Sequence, residues 1–401
     1  MNSLNLIQTS EIPQKNYIKT DRQSIEMFFD HFDYTNYLFF DYENETIDEN
    51  KKYTHIILLD KSLSDICKNS VDILIEEKIK NLVRKYKNIF VILYYSTESD
   101  YDDLIIIFDE YLKINKLNPL QFNIVNGNSN LYELKKKNNS EINVFTCNFL
   151  HSGHVVQIKQ NLPFDLIDNY KVNKKYKFSC YNRRMCSHRL TTLCYLKKNN
   201  ILENVNWSML RGYDIEKEIK CPLFFNGVTN IDDIKTEIDF FSKINIKQAD
   251  LENDIILDTG THAFHHSYAF NRVSYIESYI NIVTESIYTN NNTIFITEKS
   301  IYPFFFLQIP IFIATKHHIK KLRELYNLDF FDDLINHSYD EEEDGVKRLK
   351  MVFDEINKLN NMGDGLILYY QENKDRIIQN NIEISKIGDF DDTKKFFNSF
   401  V

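Results

Sequence analysis

Glycine is scarce in this chain, with nine in 401 residues, and so are proline (six), cysteine (six) and tryptophan (one). So little glycine and proline excludes collagen-like repeats and long disordered tracts. The glycines run from Gly127 to Gly388 and never assemble into GxGxxG or GxxxxGK[ST]. That argues against a nicotinamide-dependent dehydrogenase and against a P-loop kinase. GxSxG is missing too, which weakens an α/β-hydrolase reading. Cys67, Cys147, Cys180, Cys186, Cys194 and Cys221 form no CxxC pair, and no histidines stand at zinc-finger spacing. Ordinary reduced thiols fit that pattern, and with it an intracellular protein. Excess positive charge is also absent: 48 Lys and Arg face 58 Asp and Glu, a net charge of −10. Long nucleic acid and anionic membrane are therefore poor partners, although a local basic pocket remains compatible. The opening residues MNSLNLIQTSEIPQKN lack the basic and apolar regions of a signal peptide. The nearest approach to a membrane span, FITEKSIYPFFFLQIPIFIA (295–314), is split by Glu298 and Lys299 into pieces too short to cross a bilayer. The expectation is a soluble, cytoplasmic protein without metal ligands.

What is present is a globular composition, 43% hydrophobic and 26% charged, over a length that predicts two domains. THIILLD (54–60), NIFVILYY (88–95), FNIVNG (122–127) and INVFTCNF (142–149) are short, β-branched or aromatic, and apolar on both alternating faces. Buried parallel strands have that pattern. Residues 62–87 and 100–116 between them carry apolar residues at helical spacing. The alternation resumes with KYKFSCY (175–181), an amphipathic helix at SHRLTTLCYLKKNN (187–200) and a strand at NVNWSML (204–210). YINIVTES (279–286), IPIFIA (309–314) and the helix HIKKLRELYN (318–327) continue it. The acidic run SYDEEEDG (338–345) suits the first turn of the helix VKRLKMVFDEINKLN and reads as capping and solvation. Residues 364–385 read as one long final helix. The fold class is α/β, two Rossmann-like domains with a cleft between them: 1–170, 171–370, and a C-terminal helical segment 371–401 packing back across them.

Two motifs carry chemistry. In YKFSCYNRRMCSHRLTTLCYL a strand runs through a loop with Arg183 and Arg184 into a helix bearing His188 and Arg189 near its start. A strand-to-helix turn offers free N–H groups and a positive helix end to an anion, and arginines add bidentate donors. A surface cluster balanced by the chain's acids is the plain alternative. In the second motif a strand IFI (294–296) ends at Thr297, which caps a helix starting with Glu298 and Lys299. Glu298 is then placed to accept two hydroxyl hydrogen bonds, such as those of a ribose, and Lys299 to face a diphosphate. Glu285, at the end of YINIVTES, opens toward the same cleft, and Tyr302 is the one later residue that lines it. Acids are ordinary at helix starts, but a lysine there runs against the helix dipole. THAFHH (261–266) holds three histidines, more simply a chance cluster than a metal site.

This order of elements, a strand, an N-R-rich loop, an HR helix, a Glu-ended strand and then [FY]-x-TEK-x-x-x-P-F before a P-x-[IV] strand, resembles a group of viral and bacterial glycosyltransferases. These are similar in their nucleotide domain to α-1,3-fucosyltransferases and more distantly to exostosin-like transferases. The resemblance spans about residues 175–360. It implies the GT-B architecture, with a nucleotide-sugar donor (a GDP- or UDP-sugar) held by the carboxyl-terminal domain and no obligatory cofactor. It carries the diphosphate contacts onto Glu298, Lys299 and Arg189, with Arg183 or Arg184 as competitors for the arginine. No match to the fucosyltransferase catalytic acid exists, so sugar, acceptor and linkage stay open.

An inverting transfer needs a base for the acceptor hydroxyl, a glycan's or another's. Glu98, after the strand FVILYY, is the first candidate; His151 and His154 in NFLHSGH are the second. DYDD (100–103) superficially looks like a metal-binding DxD, but its position opening a helix favours a helix start. Two rival classes remain: an inactive nucleotide-sugar or glycan-binding module, and a metal-dependent phosphate-handling enzyme such as a nuclease or phosphatase.

Overall fold

The computed structural model describes residues 4–7, 37–39, 55–60, 77–95, 104–146, 166–167, 170–182, 186–209, 231–243, 275–289 and 292–386. The chain divides into two units, residues 1–149 with 390–401 and residues 150–389. Each is Rossmann-like, a parallel sheet with helices packed on it.

In the first unit, strands β1 (Leu4–Ile7), β2 (Tyr37–Phe39), β3 (His55–Asp60), β4 (Ile89–Tyr95), β5 (Phe122–Asn126) and β6 (Asn143–Thr146) form one sheet in the order β2-β1-β3-β4-β5-β6. Every adjacent pair is parallel. The last four strands match the apolar runs read from the sequence. β1 and β2 were not anticipated, being short and set in polar surroundings. β5 is buried at all five positions, Asn123 and Asn126 included, the two-faced burial of a strand covered by helices on both sides. Its helices are α1 (Glu77–Lys85), α2 (Leu104–Ile114) and α3 (Leu131–Lys137). Ile79, Val83, Leu104, Ile105, Phe108 and Leu112 from α1 and α2 pack with Ile89, Val91 and Leu93 of β4 and with Phe122 and Ile124 of β5 in one core. Gln121 locks this register from a single side chain: its amide donates to the carbonyls of Tyr86 and Ile89, both at 2.9 Å.

In the second unit, β7 (Tyr176–Asn182), β8 (Val205–Met209), β9 (Ser278–Thr284) and β10 (Ile309–Ile313) form a parallel sheet in the order β10-β9-β7-β8. The chain steps from β7 to β8 on one side and returns to place β9 on the other. The strand order therefore reverses between β7 and β9, the point in open α/β sheets where a crevice forms at the carboxyl edge. The helices are α4 (Ser187–Lys198), α5 (Lys235–Lys243), α6 (Glu298–Phe305), α7 (His318–Leu325), α8 (Gly345–Asn361), α9 (Asp364–Glu372) and α10 (Lys374–Ser385).

Three local expectations need correction. First, α4 is not amphipathic: every residue from Ser187 to Cys194 is buried. Tyr195 and Lys197 find cover as well, Tyr195 stacking on Phe353 of α8 with centroids 3.8 Å apart and Lys197 lying over the Phe240 ring of α5, while Lys198 at the end is exposed. Second, 294–296 is no strand; Phe295 makes an isolated bridge only. Third, the final helix is two helices. Asn373 caps α9: its N–H and its side-chain amide both donate to the Tyr369 carbonyl, and its backbone leaves the helical region at φ −100°, ψ 20°. Both α9 and α10 pack within the second unit. Arg376 grips Asp329 and Asp333 with both arms, holding the Asp333 carboxyl down at about 2, and Asn381 donates to the Phe305 carbonyl at the end of α6.

The acidic run does cap, but at two helices. Asp344 accepts from the amides of Val346 and Lys347 at the start of α8, as its sequence position suggested. Asp340, buried, accepts from the amides of Ile319 and Lys320 at the start of α7.

Lys174 gives the second unit a pH dependence. Its stem is half-exposed, but its ammonium donates to the Leu307 carbonyl at 3.0 Å and lies 4.8 Å from the Tyr370 ring centre. Desolvation, then the charge of Lys171, lowers its pKa from 10.5 to about 7. Between those values the unfolded lysine is protonated and the folded one is not. Stability therefore rises with pH across that window, by at most about 1.4 kcal/mol per pH unit, less whatever solvent screens. Urea titrations at pH 7 and pH 10 should show that rise in wild type and a smaller one in Lys174→Met; equal rises would refute the assignment.

Candidate functional site

Glu285 follows β9 and joins three elements. Its amide donates to the Ile313 carbonyl of β10 at 3.0 Å. Its carbonyl accepts from His188 Nε2 at 2.8 Å and Arg189 Nη2 at 3.2 Å, both in the first turn of α4. Its carboxylate receives four donors: the Thr297 amide (3.2 Å), the Thr297 hydroxyl (2.8 Å), the Ser300 hydroxyl (2.5 Å) and the Ser286 amide (3.1 Å). The starts of α4 and α6 are thus fastened to one residue at the carboxyl edge of the sheet, beside the strand-order reversal.

The expectation that Glu285 opens toward a cleft is overturned, because the residue is 0% exposed. A carboxylate that accepts four hydrogen bonds can be buried charged. Its apolar run predicts the strand; only the fold shows that the terminal acid turns inward to meet α6.

Thr297 caps α6 as expected. Its hydroxyl accepts from the Lys299 amide at 3.2 Å while donating to Glu285. Glu298 and Lys299 alone among the described site candidates keep a real share of solvent, with side chains 19% and 24% exposed, and they pair with each other at 2.9 Å. Lys299 Nζ also donates to the Thr297 hydroxyl at 3.3 Å. Arg189 is buried and spans the carbonyls of Thr284 and Glu285, each at 3.2 Å from Nη2. Tyr302 is buried as well, edge-on to Tyr275 and Phe306, and lines the core where the sequence placed it in the pocket. Glu98, His151, His154, Arg183 and Arg184 lie outside the described residues, as do the THAFHH and DYDD segments.

Several participants escaped the sequence reading. His318, at the start of α7, reaches the Ser300 hydroxyl with Nε2 at 2.8 Å. Tyr288 stacks on His188 on one side and carries the Arg348 guanidinium 4.8 Å from its ring centre. Tyr275 lies near enough to Glu298 that burial and that negative charge together raise its pKa well above the usual tyrosine value. No local pattern marks them, since each belongs by contact across the fold. Burial and the neighbouring Arg189 charge push His188 down to about 3, and burial lowers His318, so both imidazoles are neutral at neutral pH. Among the described site candidates, the charges that reach the surface at this edge are Glu298 and Lys299, backed by the N-terminus of α6. Among the described residues, no group of three or more His, Cys, Asp or Glu is arranged to hold a metal ion. No described helix is long and apolar enough to cross a membrane.

No family model matches the chain, and no curated protein matches it. Among solved structures it is similar to alpha,alpha-trehalose 6-phosphate synthase from Burkholderia multivorans, at 9% identity and a TM-score of 0.37, over 87% of this chain and 72% of that one.

Proposed function

We propose that the chain is a glycosyltransferase of GT-B type, whose second unit binds the nucleoside diphosphate of a nucleotide-sugar at the carboxyl edge of its sheet. The observation that carries this reading is the Glu298–Lys299 pair: two opposite charges, partly open to solvent, at the capped N-terminus of α6. A carboxylate there suits the paired hydroxyls of a ribose. The ammonium, the helix end and the buried charge of Arg189 suit a diphosphate, including the charge that develops on it as it leaves. The resemblance of FITEK and its flanking elements to the fucosyltransferase-like enzymes adds the transfer reaction. The acceptor is a hydroxyl, of a glycan or another molecule, and Glu98 is the first candidate for its base, ahead of His151 and His154.

The test is a thermal-shift screen of GDP, UDP and a panel of their sugars. A matching ligand at one hundred times its Kd stabilises the fold by about 2.7 kcal/mol. Transfer or slow hydrolysis of the matching nucleotide-sugar, insensitive to chelator, is the expected activity. Binding without turnover would instead make the chain a binding module. No stabilisation by any of them would remove the donor-site reading.

A further inference from the structure

Behind the exposed pair lies a buried chain of hydrogen bonds whose direction is fixed. Glu285, as a carboxylate, only accepts. The Ser300 and Thr297 hydroxyls therefore both spend their protons on it, at 2.5 and 2.8 Å. Ser300, with its proton committed, accepts from His318 at 2.8 Å, so the neutral imidazole carries its hydrogen on Nε2. On the other side Thr297 is left with lone pairs alone, and these face the Lys299 amide at 3.2 Å and the Lys299 ammonium at 3.3 Å. An ammonium at the positive end of a helix is electrostatically disfavoured; Glu298 Oε1 at 2.9 Å and the Thr297 hydroxyl at 3.3 Å are the acceptors that keep it there, and Thr297 is the one that fixes its direction toward the helix mouth.

We propose that Glu285 is a positioning residue for Lys299: its carboxylate commits the Thr297 hydroxyl as an acceptor, and so holds the lysine ammonium at the mouth of α6, poised for the diphosphate. The inference rests on the nucleotide-binding reading above. Glu285 touches no ligand and acts through Thr297, with His318 and Ser300 closing the far side. Its amide analogue would break the scheme with little change of shape. A glutamine NH2 group points donors at the amide and hydroxyl donors around it, frees the Thr297 proton to turn, and removes an acceptor from Lys299.

The test compares Glu285→Gln with wild type, using whichever of GDP and UDP stabilises the wild-type chain together with its own nucleoside, guanosine or uridine. Glu285→Gln should weaken the diphosphate at least tenfold and the nucleoside less than threefold. In a Lys299→Met background the same change should cost the diphosphate less than twofold, since its effect passes through the lysine. Equal losses for diphosphate and nucleoside, or an undiminished loss without Lys299, would make Glu285 merely structural and overturn the proposal. Should Glu285→Gln fail to fold, Thr297→Val removes only the hydroxyl and should show the same selective loss, with Thr297→Ser recovering most of it; no difference between the two overturns the proposal. If neither GDP nor UDP binds wild type, the donor-site reading fails, and hydrogen exchange over residues 297–300 tests the network independently. Faster exchange in Glu285→Gln supports the locking of this helix start, and unchanged exchange sinks it.

Discussion

Arg348→Met is expected to lower the unfolding free energy by about 3–5 kcal/mol, among the largest effects of any single change in the second unit. Arg348 is among the largest fully buried side chains, and its described hydrogen bonds end on backbone carbonyls of separate segments. Nε donates to Ala314 at the end of β10 (3.1 Å), Nη2 to Tyr288 beyond β9 (2.9 Å) and Nη1 to Glu342 ahead of α8 (2.6 Å). Its guanidinium also lies over the Tyr288 ring, 4.8 Å from the centre, a cation–π arrangement strengthened by burial. Methionine refills most of the volume, so the loss would come from carbonyls stranded without water, each costing about 1–3 kcal/mol. Arg323→Met is the control. Its ion pair with Asp332 is exposed at both ends, and its removal should cost no more than about 1 kcal/mol. Urea midpoints measure both, and equal midpoints for the two variants would refute the role given to Arg348.

Lys299→Ala is expected to weaken the preferred nucleoside diphosphate by tenfold to a hundredfold, roughly 1.4 to 2.8 kcal/mol, the range of a charge-assisted hydrogen bond. The fold should barely notice, because the Lys299–Glu298 pair is partly exposed and solvent screens it. That separation makes the result readable: a midpoint in urea close to wild type, with ligand stabilisation lost. Glu298→Gln should act on a different part of the ligand, shrinking the preference for the ribonucleotide over its 2′-deoxy analogue and leaving the nucleoside-to-diphosphate ratio near its wild-type value. Calorimetric Kd values of wild type and each variant for the ribonucleoside diphosphate, its 2′-deoxy analogue and the nucleoside decide it. If Lys299→Ala binds as tightly as wild type, the ammonium faces no phosphate.

Much of this is legible in the sequence alone. Strands β3 to β10 can all be placed from the sequence, β10 most plainly: IPIFI is an unbroken apolar run buried at every position, because a strand covered on both faces has no polar side to show. Thr297 could be named as a cap from its place before Glu298 and Lys299, since capping is decided within three residues. The break at Asn373 was not legible, because 364–385 keeps helical spacing through it and only the local backbone and side-chain cap at Asn373 mark the end of the first helix. Nor was the burial of α4. Ser187, His188, Arg189, Thr191 and Thr192 read as a polar face, yet they are buried: His188 and Arg189 donate to carbonyls at the end of β9, and the Thr191 and Thr192 hydroxyls turn back onto the Ser187 and His188 carbonyls of α4 itself.

The sequence by itself determined the alternation of strands and helices, the absence of glycine-rich phosphate loops, and the placing of an acid and a base at the mouth of α6. These depend on neighbours within a turn or a strand, which periodicity and capping expose. Only the tertiary structure decided which charges stay outside. Glu285 looked as available as Glu298, yet four donors from Ser286, Thr297 and Ser300 allow it to be buried as a carboxylate, whereas Glu298 finds Lys299 at the surface. A charged side chain goes where its hydrogen bonds are satisfied. For Glu285 those partners lie up to fifteen residues away along the chain, and the fold alone brings them together.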